Sequence, residues 1–249
     1  MHPADDRTID PRTPGPLTSP GAARTRRSRP LPRFASRGFT LLETALATVI
    51  IAVGVLALIE AQATMTRNNQ FSSAAATGVY LANEIRERMR TLPRHDPVTG
   101  LYFRTVNSAQ ELVGWGPEQG ELGFTDYDDL DDFDGARFGD GGTFPGPVDS
   151  TGRIIPELGP DGEPLSQGQG ADAAIVPLRG WSQQVFVEKV DPQNFNTARA
   201  DNYVRQPVPP NFPGLAVDQF PLRITVVVRY TAPGETAAQE MARVVWIAP

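Results

Sequence analysis

The sequence predicts an α+β chain in which one long N-terminal helix, apolar enough to cross a membrane in its first half, packs on a small antiparallel sheet joined by long Gly- and Pro-rich loops. Three observations carry that expectation. Phe39–Ile59 is 21 residues long with a single charge, Glu43, and no proline. As a helix rising about 1.5 Å per residue it would reach roughly 31 Å, the thickness of a bilayer's hydrocarbon core. The pattern then turns amphipathic without a break as far as Leu92, and the last third of the chain holds three runs of β type, 184–190, 222–230 and 240–247.

Residues 1–38 hold eight Arg against three Asp, a net of +5; subtracting this from the chain's −6 leaves −11 for residues 39–249. A basic segment directly before an apolar span stays in the cytoplasm, which sends everything after the span across the membrane. An acidic exported part argues against nucleic-acid binding, which relies on Lys and Arg to neutralise phosphates. The leader is rich in Pro, Arg, Ser and Thr without apolar periodicity, so it reads as disordered. Arg26-Arg27 sits too close to Pro30 and Pro32 to favour a twin-arginine signal over a charged anchor. The chain has no cysteine, so disulfides and zinc–thiolate sites are excluded.

At the head of the apolar stretch stands Gly38-Phe39-Thr40-Leu41-Leu42-Glu43, preceded by Arg37. The string and its context resemble the prepilin signature of the type IV pilin family. That resemblance implies cleavage between Gly38 and Phe39 by a prepilin peptidase, methylation of the new N-terminal Phe39, and a role for Glu43 in assembly opposite the free amine of a neighbouring pilin subunit. It also implies a pilin-like fold and an inner-membrane assembly platform as partner. Cleavage before the apolar segment leaves the helix as an anchor, whereas a secretory signal is cut after it. Two rival readings are a plain signal-anchor with Glu43 near the interface, and a secretory signal cut after Ala61-Gln62-Ala63; the latter would need an unusually long apolar region containing a Glu. The proline common about 22 residues into mature pilin helices is absent, its place taken by Glu60.

The organisation expected is a leader over 1–38, a transmembrane and assembly helix over 39–60, an amphipathic continuation over 61–93, and a head over 94–249. In the continuation Ala74, Leu81, Ile85, Met89 and Leu92 share a face, Pro93 stops the helix, and Arg86, Arg88 and Arg90 read as a solvated face. Leu101–Val106 is a strand and 107–125 irregular. Asp126 to Gly135 reads DYDDLDDFDG, six Asp in nine positions. It is not an EF-hand, since the fifth position is Leu130. Calcium in an irregular loop, with oxygen ligands from Asp126, Asp128, Asp131, Asp132 and Asp134, is one reading. The other is an acidic loop pinned to the core by Leu130 and Phe133. Residues 140–180 and 194–214 read as surface loops with no phosphate-binding fingerprint, and Trp246 as a core or sheet-face anchor.

Only two histidines are present, His2 in the leader and His95 in a polar turn, and no Gly-x-Ser-x-Gly string occurs, so an enzyme has little to draw on. The resemblance points to a minor pilin or pseudopilin, and the acidic string is similar to one in accessory pilins of the mannose-sensitive haemagglutinin type of pilus. The rival from another class is a membrane-anchored binding module that does not polymerise.

Overall fold

The computed structural model describes residues 40–168 and 173–249; the leader, with Gly38 and Phe39, lies outside the described residues. Two compact units divide at Val55/Leu56, and each is taken by itself. A single helix, α1, Leu41–Met89, is assigned through the division without interruption at Glu60. Thr40 caps its start: its Oγ1 and carbonyl oxygen accept the Glu43 N–H at 3.3 and 3.0 Å. In the first unit residues 40–55 are exposed throughout. The hydroxyls of Thr44 and Thr48 bond back to the carbonyls of Leu41 and Thr44 at 2.9 and 2.8 Å, which hides polar groups an apolar surrounding would not tolerate. The helix is long and apolar enough to cross a membrane.

In the second unit α1 ends at Met89 instead of Leu92. The Arg90 and Leu92 N–H groups bond to carbonyls three residues back, because the residue before Pro93 is disfavoured in the α conformation. Buried on α1 are Gly78, Leu81, Ala82, Ile85 and Met89, the face expected from the periodicity. They meet the central sheet. Its strands are β3 (Arg137–Gly139), β6 (Trp181–Asp191), β8 (Leu222–Tyr230) and β9 (Gln239–Ala248), antiparallel in the order β3-β6-β8-β9, with β7 (Asn194–Ala198) paired to the end of β6. Val185 lies opposite Val226, and Val226 opposite Val244. Val185, Val187, Leu222, Ile224, Val226 and Val228 form one core with the α1 face. At Gly78 a Cβ would stand 2.9 Å from the Cβ of Met241, so only glycine lets helix and β9 approach this closely.

Several expectations need correction. Residues 107–125 are not wholly irregular: β2 (Ala109–Val113) pairs with β1 (Tyr102–Val106) across a two-residue turn in which Asn107 and Ser108 both have positive φ, 49° and 66°. The polar AQELV run gave no alternation by which to read it. β7 likewise falls in a segment read as loop. The insertion is partly packed: Val148 is fully buried, Phe144, Ile155 and Leu178 lean on the core, and β4 (Ser166–Gln167) pairs with β5 (Ala174–Ile175). Buried Gln183 fixes it in place, its Nε2 donating to the Leu81 and Val148 carbonyls at 2.9 and 3.0 Å while its Oε1 accepts the Val148 N–H at 2.8 Å.

Candidate functional site

The chain leaving α1 is met by the acidic loop, where the Leu130 N–H donates to the Pro93 carbonyl at 3.0 Å. Leu130 and Phe133 are buried as expected, and Tyr127, Phe133, Phe124, Phe138 and Phe144 meet mostly edge to face. The Arg face is not uniformly solvated. Arg88 is half-buried over the Phe124 and Phe133 rings, 5.7 and 5.9 Å away, and donates to the Phe124 carbonyl at 3.1 Å. The loop folds back over the helix end, and a guanidinium stacks on aromatic faces.

Burial extends to three aspartates of the loop. Asp129 and Asp131 are 0% exposed and Asp132 is 1%. Buried Leu130 caps a single 3-10 turn over Asp131–Phe133 that ends on buried Phe133, and these two anchors draw the neighbouring aspartates inward. Backbone N–H groups compensate one side of each carboxylate. Asp129 Oδ1 accepts from Asp131 and Asp132 at 2.9 and 3.2 Å, and Asp132 Oδ2 from Asp128 and Asp129 at 3.1 and 3.3 Å. The other sides, Asp129 Oδ2 and Asp132 Oδ1, are buried without a partner, as are both carboxylate oxygens of Glu118.

The oxygens of Glu118, Glu121 and Asp132 lie within 4.8 Å of one another, and so do those of Asp128, Asp129 and Asp132. Burial, and then the neighbouring charges of Asp132 and Asp129, push Glu118 up to about 8. Burial pushes Asp129 to about 8 and Asp132 to about 7. Beside them Asp131 accepts from the Gly116 N–H at 3.2 Å and faces His95 Nδ1 at 3.1 Å. Burial lowers His95 to about 4 and raises Asp131 to about 6. Near neutral pH this contact is therefore a neutral imidazole N–H donating to a carboxylate, with no ion pair. His95 lies in the bend after α1, as the sequence suggested, with its side chain nearly closed off from solvent.

Of the residues singled out as calcium ligands, the structure brings together Asp128 and Asp132. Asp131 is engaged by His95 and Gly116. Asp126 accepts the Gly123 N–H at 3.1 Å in an exposed turn, and Asp134 accepts the Val187 N–H at 2.9 Å. The carboxylates that the structure places within 4.8 Å of one another form two groups, Glu118, Glu121 and Asp132, and Asp128, Asp129 and Asp132. Asp129 was passed over within the string itself. Glu118 and Glu121 precede the string; their only signal was a Glu-x-x-Glu spacing, which here closes a turn through the Glu118 N–H to Glu121 Oε2 bond of 2.9 Å. An oxygen-only set suits calcium, magnesium or manganese over zinc or copper.

A second feature of functional interest is Glu43, in the first turn of α1 and the only charge in the apolar stretch. Charges in such segments mark function by default. Comparison with protein-family models, with curated proteins and with solved structures gives no match in any of the three.

Proposed function

We propose that the chain is a filament subunit of the type IV pilin class, a minor pilin or pseudopilin, anchored in the inner membrane by α1 with its head on the periplasmic side until assembly. The observation that carries the reading is the Arg37-to-Glu43 string at the threshold of a 49-residue helix. Its support is the division of labour along that helix, with an exposed apolar first third and a last third that packs on an antiparallel sheet. Glu43 takes the assembly role in this reading. A carboxylate in hydrocarbon is unfavourable by about 2.5 to 3.5 kcal/mol on insertion scales, and pairing with the terminal amine of the next subunit offsets that in a low dielectric. Prepilin peptidase, other pilin or pseudopilin subunits and the assembly platform are the partners implied, and priming, tip or adhesive positions suit a head with a long insertion.

The test is the N-terminus and mass of the protein recovered from membranes of a host that carries a prepilin peptidase. An N-methylated Phe39 is expected, and Glu43→Ala should abolish filament incorporation while leaving membrane insertion intact. A mature N-terminus at Thr64 would mark a secretory signal and overturn the reading, whereas normal function of E43A without assembly would favour the membrane-anchored binding module.

A further inference from the structure

We propose that the carboxylate cluster between the loop after β2 and the 3-10 turn is a calcium site centred on Asp132, which is grouped with Glu118 and Glu121 on the one hand and with Asp128 and Asp129 on the other. Three independent observations converge on it. First, Asp129 and Asp132 are closed off from solvent, yet Asp129 Oδ2 and Asp132 Oδ1 have no donor, and both Glu118 oxygens share that condition. Buried carboxylate oxygens without partners are unfavourable, and a cation or a proton relieves them. Second, the spacing fits. With calcium–oxygen distances of about 2.3 to 2.6 Å, two oxygens on one ion lie at most about 5 Å apart, and each trio sharing Asp132 lies within 4.8 Å.

Third, the aspartates are already aimed. The oxygen of Asp129 that has partners is held by two backbone N–H groups, and so is that of Asp132, as outer-shell bonds orient metal ligands. The cationic side chains nearby are occupied elsewhere. Arg88 stacks on Phe124 and Phe133, and Lys189 donates to the Asp201 carbonyl from above the Trp115 and Phe220 rings. Calcium fits better than magnesium because carboxylates from two irregular segments give an adaptable shell, whereas magnesium demands a near-octahedral one and keeps several waters. The bound ion would staple residues 118–121 to the turn that covers the end of α1.

The experiment uses the full-length protein in detergent, stripped with EDTA and titrated with CaCl2, following the melting temperature and the calcium bound per chain by equilibrium dialysis. One ion per chain is expected, with the melting temperature raised by about 5 °C or more at saturation. Glu118→Gln and Asp132→Asn should each weaken binding at least about tenfold, while Asp126→Asn leaves it unchanged. Neither Glu118 carboxylate oxygen has a hydrogen-bond partner among the described residues, so E118Q reads ligation without touching the backbone bonds that Asp132 accepts. No bound calcium at about 10 mM, undiminished binding by E118Q, or an equal shift with MgCl2 would each overturn the assignment. The outcome is independent of whether the chain assembles into a filament.

Discussion

Asp191 at the end of β6 and Asp132 in the 3-10 turn are 5% and 1% exposed, and their surroundings are opposite in sign. Asp191 Oδ2 is met by Arg199 and Arg205 at 2.7 and 2.5 Å, and each guanidinium is backed by an aromatic ring, Tyr203 or Phe212. Arg199 first, then the Gln193 N–H and Arg205, hold Asp191 down at about 2. Asp132 has carboxylates for neighbours, and burial followed by the Asp129 charge holds it up at about 7. The same residue type, shielded from water to nearly the same extent, is neutralised from within in one place and left open in the other. The difference teaches that this chain can supply its own countercharge, which gives the open cluster its meaning.

The most severe way to break the contrast is to remove the internal cations. Arg199→Ala combined with Arg205→Ala strips Asp191 of both countercharges and of the cover they provide, and the melting temperature should fall by roughly 5 °C. Calcium should not restore it, because no second carboxylate is supplied. Next in size is the reversal of sign on neutralising the acid itself. In EDTA at about pH 8, Asp132→Asn should raise the melting temperature by roughly 2 to 4 °C by relieving like-charge crowding, whereas Asp191→Asn should lower it by a similar amount. Equal signs for the two would erase the distinction.

The smallest effect is the pH dependence of that second substitution. Folding lowers Asp191 from its ordinary 3.8 to about 2, so between those values the native state binds fewer protons than the unfolded chain. The contribution is complete above about pH 4 and is lost as pH falls through about 2. Wild type and D191N should therefore differ at pH 5 and converge near pH 2 in thermal melts.

Much of this was legible in the residues. The apolar run, the amphipathic face through Leu81, Ile85 and Met89, and the alternation of Leu222, Ile224, Val226 and Val228 are periodic signals, and periodicity is what burial writes into a sequence. β2 and β7 were not legible, because AQELV and NFNTA are paired by turn geometry without an apolar face to bury. The acidic string announced a site but not its members. Spacing along a chain cannot say that Leu130 and Phe133 drag Asp129 and Asp132 inward, nor that Glu118 returns from beyond β2 to face them. The burial of His95 and Arg88 was missed for a related cause: polar side chains carry no periodic mark when a loop closes over them.

Gln183 spans Leu81 and Val148 with one amide, across 102 and 35 residues of sequence. Its Nε2 bonds to both the helix and the insertion and its Oε1 to the insertion, so its amide is fully satisfied only when helix, strand and insertion are all in place. The unit therefore gains an all-or-none character from a single uncharged side chain. The register of the insertion at Val148 is thereby tied to the helix at Leu81.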